Sequence, residues 1–297
     1  MDSDAYRRQL LSEIEAATAA PSQLVAPAQL KAAAEEAPEQ LVERICSLSL
    51  RPDSFDASVR LLLSIAADKK RPAAARLAAL QRLSGAHFQT HRFQLFTAEY
   101  REVLRKTATD RSSRLREAAL ERLTLFGDRE AQKLLRESLS PEGRTLLRPE
   151  KAVQLLARDD HASAKALFRE LAEKGTGKVR EEALRALASD SRSAKLLEGI
   201  AGNKAETPAI RQVAAAGLKA ASAPRFARLA QKLILDRTED DSVRAAAAVG
   251  IAHSKEVRDR LAKPTFERAI AKVQATTKSR ALRKSARQLV QRLRSSG

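Results

Sequence analysis

The 297-residue chain contains no tryptophan, two tyrosines, eight phenylalanines and one cysteine, and aromatic residues make up only 3% of it. Hydrophobic residues nevertheless reach 43%, so a sizeable core has to be built from Ala, Leu, Val and Ile, which favours closely packed helices. Ten glycines and ten prolines are too few for the dense turns of a β-sandwich. Helix formers fill most windows instead, and the expected class is all-α. The lone Cys46 excludes an intramolecular disulfide, and its place beside Leu41, Val42 and Ile45 reads as a buried, inert thiol. No apolar run approaches the ~18 residues of a membrane span. The opening Met1, Asp2, Ser3, Asp4 has acids where a secretory signal has bases. A cytoplasmic monomer without membrane contact is the expectation.

Acidic residues are also scarce. Lys and Arg number 55 against 37 Asp and Glu, a formal charge of +18. Such a surplus attracts nucleic acid, anionic membrane or acidic proteins. It is unevenly spread: residues 1–50 hold four bases and eight acids, whereas residues 255–297 hold thirteen bases and three acids.

What the chain does have is a repeat. The run Leu115, Arg116, Ala118, Ala119, Leu120, Leu123 returns as Val179, Arg180, Ala183, Leu184, Leu187. It returns again as Ile210, Arg211, Ala214, Ala215, Leu218 and as Val243, Arg244, Ala247, Ala248, Ile251. Weaker copies surround Arg76, Arg148 and Arg283. The seven arginines are separated by 31 to 40 residues, the length of one helical hairpin with two short turns. Four residues before the Arg stand Ser112, Thr176, Thr207, Asp240 and Ser279, each suited to cap a helix N-terminus at about 1 kcal/mol. Pro208 after Thr207 strengthens that reading. First helices of the hairpins are expected over residues 93–106, 128–139, 162–174, 193–201, 224–236 and 256–275, the last interrupted at Pro264.

These copies resemble HEAT repeats, in particular the short kind found in bacterial and phycobilin-lyase-like proteins. The resemblance covers residues 68–297. It implies a right-handed α-α superhelix, a HEAT-like solenoid of stacked helical hairpins. In such arrays the recurring Arg joins a ladder with carboxylates of neighbouring repeats, so Arg76, Arg116, Arg148, Arg180, Arg211, Arg244 and Arg283 are implied to be structural. Residues 1–67 lack the motif. Amphipathic spacing over residues 6–17, a helix opening at Pro27 and another over residues 55–66 make this acidic stretch an N-terminal cap of the same continuous array.

Catalysis finds little support. His87 and His91 are four apart, but no Glu follows His87, and neither a Cys nor a second His pair completes a ligand set. His161 and His253 stand alone and read as surface or turn residues. Deoxyhypusine hydroxylases resemble this architecture but carry His-Glu pairs, whereas the four His here precede Phe, Arg, Ala and Ser. Alkylpurine DNA glycosylases share the solenoid but use Trp residues around a catalytic Asp, and this chain has no Trp. There is no Gly-rich phosphate loop, no G-x-S-x-G elbow and no Cys-His nucleophile pair. No enzyme activity, cofactor or metal is expected.

The most informative polar element is the last helix, expected over residues 279–293. Leu282, Ala286, Leu289, Val290 and Leu293 share one side, and Arg280, Arg283, Lys284, Arg287 and Arg294 gather on the other, with no acid from Lys278 onward. The basic face reads as a solvated cap surface, as a contact for an acidic protein, or as a contact for nucleic-acid phosphate. The small residues of the later repeats, with Gly217 and Gly250 at equivalent positions, read as tight helix crossings or as a shallow groove for a partner helix. A scaffold for a protein partner, acidic in character, is the leading expectation, and a nucleic-acid backbone binder is the alternative.

Overall fold

A computed structural model describes residues 26–27, 37–87, 90–140, 142–158 and 164–295. The helix expected over residues 6–17, the run 28–30 after Pro27, and His161 lie outside them. The described residues are helical, without a β-strand. They fall into two compact units, Met1–Leu134 and Leu135–Gly297.

The first unit contains α1 (Pro38–Cys46), α2 (Phe55–Ala67), α3 (Ala73–His87), the single turn α4 (Thr90–Phe93) leading into a 3-10 turn at Gln94–Phe96, α5 (Thr97–Thr107) and α6 (Ser113–Leu125). Helices α2 and α3 pack as one hairpin and α5 and α6 as the next, with α3 against α6 and α2 against α5. The expected boundary between residues 67 and 68 therefore falls inside a packed hairpin. Helix α7 (Arg129–Glu137) spans the division between units.

The second unit runs through α8 (Pro149–Ala157), α9 (Lys165–Lys174), α10 (Gly177–Ala186), α11 (Ala194–Gly202), α12 (Pro208–Ala221), α13 (Ala223–Leu235), α14 (Asp241–Ala252), α15 (Lys255–Leu261), α16 (Pro264–Thr276) and α17 (Arg280–Arg294). Helices pair as α9 with α10, α11 with α12, α13 with α14 and α16 with α17. Second helices stack in the order α10, α12, α14, α17, while α11, α13 and α16 adjoin one another on the other layer. This serial arrangement of hairpins is solenoid-like. Pro264, which cannot donate to the preceding turn, separates α15 from α16 and opens the latter.

Small residues let the layers approach. Ala214, Ala215, Ala247 and Ala248 are buried along the second helices, between Leu218, Leu233, Ile234 and Ile251. Each fully buried Leu or Ile side chain contributes about 1.5–3 kcal/mol. Gly250 is a point of closest approach: a methyl group there would stand 2.5 Å from Phe226 Cζ, on a ring only 2% exposed. The short spacing is thus taken up by a tight crossing at this position.

Three of the five expected caps bond through their side chains. Thr207 Oγ1 accepts from Ile210 N–H at 3.4 Å, Asp240 from Ser242 and Val243 N–H at 2.8 and 3.3 Å, and Ser279 from Leu282 N–H at 3.3 Å. Ser112 and Thr176 occupy the cap positions without such a bond. Cys46 departs from expectation. Leu41 and Ile45 take the inward face of α1, and the next position turns by about 100°, so the thiol is exposed.

Gly250→Ala should lower stability by about 1–3 kcal/mol through overpacking against Phe226. Gly199→Ala, in an exposed position of α11 where an added methyl meets nothing, should raise it by about 0.8–1 kcal/mol. Urea unfolding of the two variants checks both signs.

Candidate functional site

The recurring arginines occupy a common setting, set by the helix geometry. Arg76, Arg180, Arg211 and Arg244 each lie four residues after the residue that opens a second helix, from where the side chain reaches the C-terminal end of the preceding first helix. The last carbonyls of that helix have no intrahelical donor. Arg76 Nε donates to Ala66 O at 3.1 Å, Arg180 Nε to Ala172 O at 2.8 Å, Arg211 Nε to Ala201 O at 3.0 Å and Arg244 Nε to Ile234 O at 3.1 Å.

The terminal nitrogens of three of them continue forward to the next repeat. Arg76 Nη1 meets Asp110 Oδ2 at 2.8 Å. Arg180 grips Glu206 through both nitrogens at 2.8 and 2.6 Å, and Arg211 grips Glu239 at 2.6 and 2.5 Å. Glu206 and Glu239 each stand one residue before the next N-cap, Thr207 and Asp240. The planar fork of the guanidinium thus closes a rung from helix end to following loop. In the Arg211 rung the side chains are 3% and 2% exposed. The Arg211 guanidinium holds the Glu239 carboxyl below the usual carboxylate range, against the opposing effect of burial.

Two arginines sit otherwise. Arg148 is not in the rung register: it is itself the N-cap of α8, since Pro149 opens the helix, and its side chain is 77% exposed, 3.8 Å from Glu150. The fourth position after that cap is Ala152, which is buried. Arg116 turns back to the carbonyls of Asp110 and Arg111 at 2.8 and 2.9 Å.

A second set of rungs, on the first-helix side, was not read from the sequence. Arg105 bonds Asp128 at 2.8 Å, Arg169 bonds Asp190 at 2.7 Å and Arg225 bonds Glu198 at 2.6 Å. Asp128 and Asp190 precede helical turns and accept from the N–H of Ala131 and Arg192. An Asp immediately before a helical turn is the signal that could have found the first two; Glu198 lies inside α11 and carries no such signal.

The basic face of α17 is laid out as the periodicity requires. Leu282, Ala286, Leu289, Val290 and Leu293 are buried, while Arg280, Arg283, Lys284, Arg287 and Arg294 are exposed. They are not equivalent. Arg294 Nε donates to Glu267 Oε1 at 2.6 Å, and Arg283 Nη2 donates to Thr277 O at 2.6 Å, capping the end of α16. Arg280, Lys284 and Arg287, at helical spacings of four and three, form no ion pair or side-chain hydrogen bond among the described residues. They make one stripe of unpaired cations.

The described histidines do not converge. His87 ends α3 and joins an aromatic cluster, 5.3 Å from Phe93 and 5.0 Å from Phe126, with Phe93 and Tyr100 5.5 Å apart. Burial, then the charges of Arg122 and Arg101, push the His87 pKa down, and burial pushes the Tyr100 phenol up to about 12. His91 lies on the separate turn α4, and His253 is the exposed C-cap of α14, 3.2 Å from Gln288 Nε2. Among the described residues, no group of three or more His, Cys, Asp or Glu could hold a metal ion, and no helix is long and apolar enough to cross a membrane.

No family model and no curated protein matches the sequence. Among solved structures, an engineered protein is similar at 18% identity, covering 86% of this chain and 68% of that one, with a TM-score of 0.44. Human deoxyhypusine hydroxylase in complex with glycerol is similar at 14% identity, covering 81% of this chain and 97% of that one, with a TM-score of 0.35. At these values neither structure assigns an activity to the chain.

Arg211→Ala should cost about 3–5 kcal/mol, since it strands a buried carboxylate. Arg185→Ala, whose half-exposed side chain pairs with Glu181 and Glu182 on its own helix, should cost less than about 1 kcal/mol. Because the Glu239 pKa is depressed in the folded state, its contribution is complete above the unfolded carboxylate range and is lost as pH falls through the folded value. Glu239→Gln should therefore flatten the acid limb of a stability-versus-pH curve followed by circular dichroism.

Proposed function

We propose that the chain is a non-catalytic scaffold of HEAT type whose α17 face holds an acidic protein partner. The observation that carries this reading is the stripe Arg280, Lys284 and Arg287. Elsewhere the arginines of the repeat are matched to carboxylates or helix-end carbonyls, as Arg180 is to Glu206 and Arg211 to Glu239. On α17 three cations point outward without an acid, on a helix whose other face is anchored by Leu282, Leu289 and Leu293. Exposed cations of this kind accelerate encounter with an opposite charge and select against like-charged surfaces.

The formal charge of +18 favours a second reading, contact with nucleic-acid backbone. The two readings separate by salt and by partner. Reversing Arg280, Lys284 and Arg287 to Glu should abolish binding of an acidic protein recovered from the native host, and recovery should survive nuclease. If duplex DNA is the ligand, its affinity falls steeply with salt, and the reversal reduces the slope by about three units, roughly one per phosphate contact. Nuclease-sensitive recovery together with that slope change would replace the protein reading with the nucleic-acid one.

A further inference from the structure

Within the second unit the rungs on the second-helix side follow a rule that breaks at one place. Glu206 and Glu239 stand immediately before the N-caps Thr207 and Asp240 and receive Arg180 and Arg211 from the preceding repeats. Where the preceding repeat has no arginine in register, at Ala152, the matching place before the N-cap Thr176 is Gly175, so donor and acceptor are missing together. At the end of the series they part company. Arg244 is present and only 8% exposed, but the residue before the N-cap Ser279 is Lys278.

Arg244 accordingly lacks a forward acid. Its Nε is fixed on Ile234 O at 3.1 Å, as in the other rungs, while Nη1 turns back to Asp241 Oδ1 on its own helix at 2.8 Å. Nη2 forms no hydrogen bond among the described residues. Asp241 is 43% exposed, a weak substitute for the buried carboxylate that Arg211 holds. Beside Arg244 lies a cavity of ≈ 350 Å³, lined by Arg237, Arg244, Lys272, Thr276 and Thr277 with apolar walls from Leu235 and Val273. No acid lines it. Arg237 and Lys272 are exposed and form no ion pair among the described residues. Thr276 Oγ1 is used on Lys272 O at 2.9 Å, but Thr277 Oγ1 accepts from Ser279 N–H at 3.1 Å and keeps its proton for an incoming oxygen.

We propose that this cavity is a carboxylate-binding subsite that takes a Glu or Asp side chain from an acidic segment of a partner protein, supplying the rung acid that Lys278 does not. The choice of a carboxylate over a phosphate rests on the two preceding rungs, where the same guanidinium, held on the same kind of helix-end carbonyl, binds a Glu bidentately. Three cations against the single Asp241 make the cavity electropositive, and its volume suits a side chain. The inference deepens the reading of an acidic protein partner and rests on it, while placing the contact at Arg244 rather than on the α17 stripe alone.

The test uses the full chain and an acetylated, amidated hexaglutamate peptide, with binding followed by calorimetry. Arg237→Ala and Lys272→Ala should each weaken binding about three- to tenfold, since neither side chain supports the fold. Lys278→Glu is the decisive variant. It offers Arg244 an internal carboxylate, so peptide binding should drop more than tenfold while thermal stability stays level or rises. Lys195→Glu, which makes the same charge change on α11, serves as the control and should weaken binding less than threefold. Equal weakening by Lys278→Glu and Lys195→Glu would overturn the subsite. If reversal of Arg280, Lys284 and Arg287 still abolished binding in that case, the acidic-partner reading would stand without it. A duplex DNA that binds the wild type and is lost in Lys278→Glu, with no hexaglutamate binding, would overturn the carboxylate assignment.

Discussion

The structure depends on one shared cation. A guanidinium is anchored at Nε by a carbonyl at the end of one helix and gripped at Nη by a carboxylate in the loop before the next second helix. A first helix ends with carbonyls that need donors, and the next loop carries a charge that would be costly to bury alone. One arginine satisfies both, and in doing so fixes the distance between consecutive hairpins. Alanine and leucine packing supplies most of the stabilisation but is tolerant of sliding, since small aliphatic surfaces fit one another in several registers. The rung is not tolerant: Arg211 meets both oxygens of Glu239 only in one alignment.

This accounts for how the charge of the chain is distributed. In the middle of the second unit, arginines and carboxylates are consumed by one another, on the second-helix side through Arg180 and Arg211 and on the first-helix side through Arg169 and Arg225. Towards α17 the acids run out while the bases continue. Part of the surplus therefore gathers at defined positions, the Arg280, Lys284, Arg287 stripe and the Arg244 cavity, where a series of structural rungs passes into a surface that can accept charge from outside.

Much of the architecture could be read from residues. The caps Thr207, Asp240 and Ser279 and the break at Pro264 mark where helices begin, because each reflects local backbone chemistry that survives in any tertiary setting. Arg148 shows how spacing alone misleads. It lies 32 residues from each neighbouring repeat arginine, yet Pro149 marks it as the cap by the same reasoning that makes Thr207 the cap before Pro208. The exposure of Cys46 is not legible in the sequence, because a short apolar run does not reveal which of two adjacent residues faces inward. The forward partners Glu206 and Glu239 were not identified, since their role comes from the juxtaposition of two hairpins 26 to 28 residues apart. The open rung at Arg244 is defined only by contrast with those partners.

The claim that the rung, and not general packing, registers successive hairpins is tested most directly by a double-mutant cycle on Arg211→Met and Glu239→Met, measured by equilibrium urea unfolding. The account predicts a coupling energy near the upper end of the range for contacting residues, about 2–3 kcal/mol, with the double variant losing far less than the sum of the singles. Additive losses, or coupling no greater than that of an exposed pair such as Lys174 with Glu170, would contradict it.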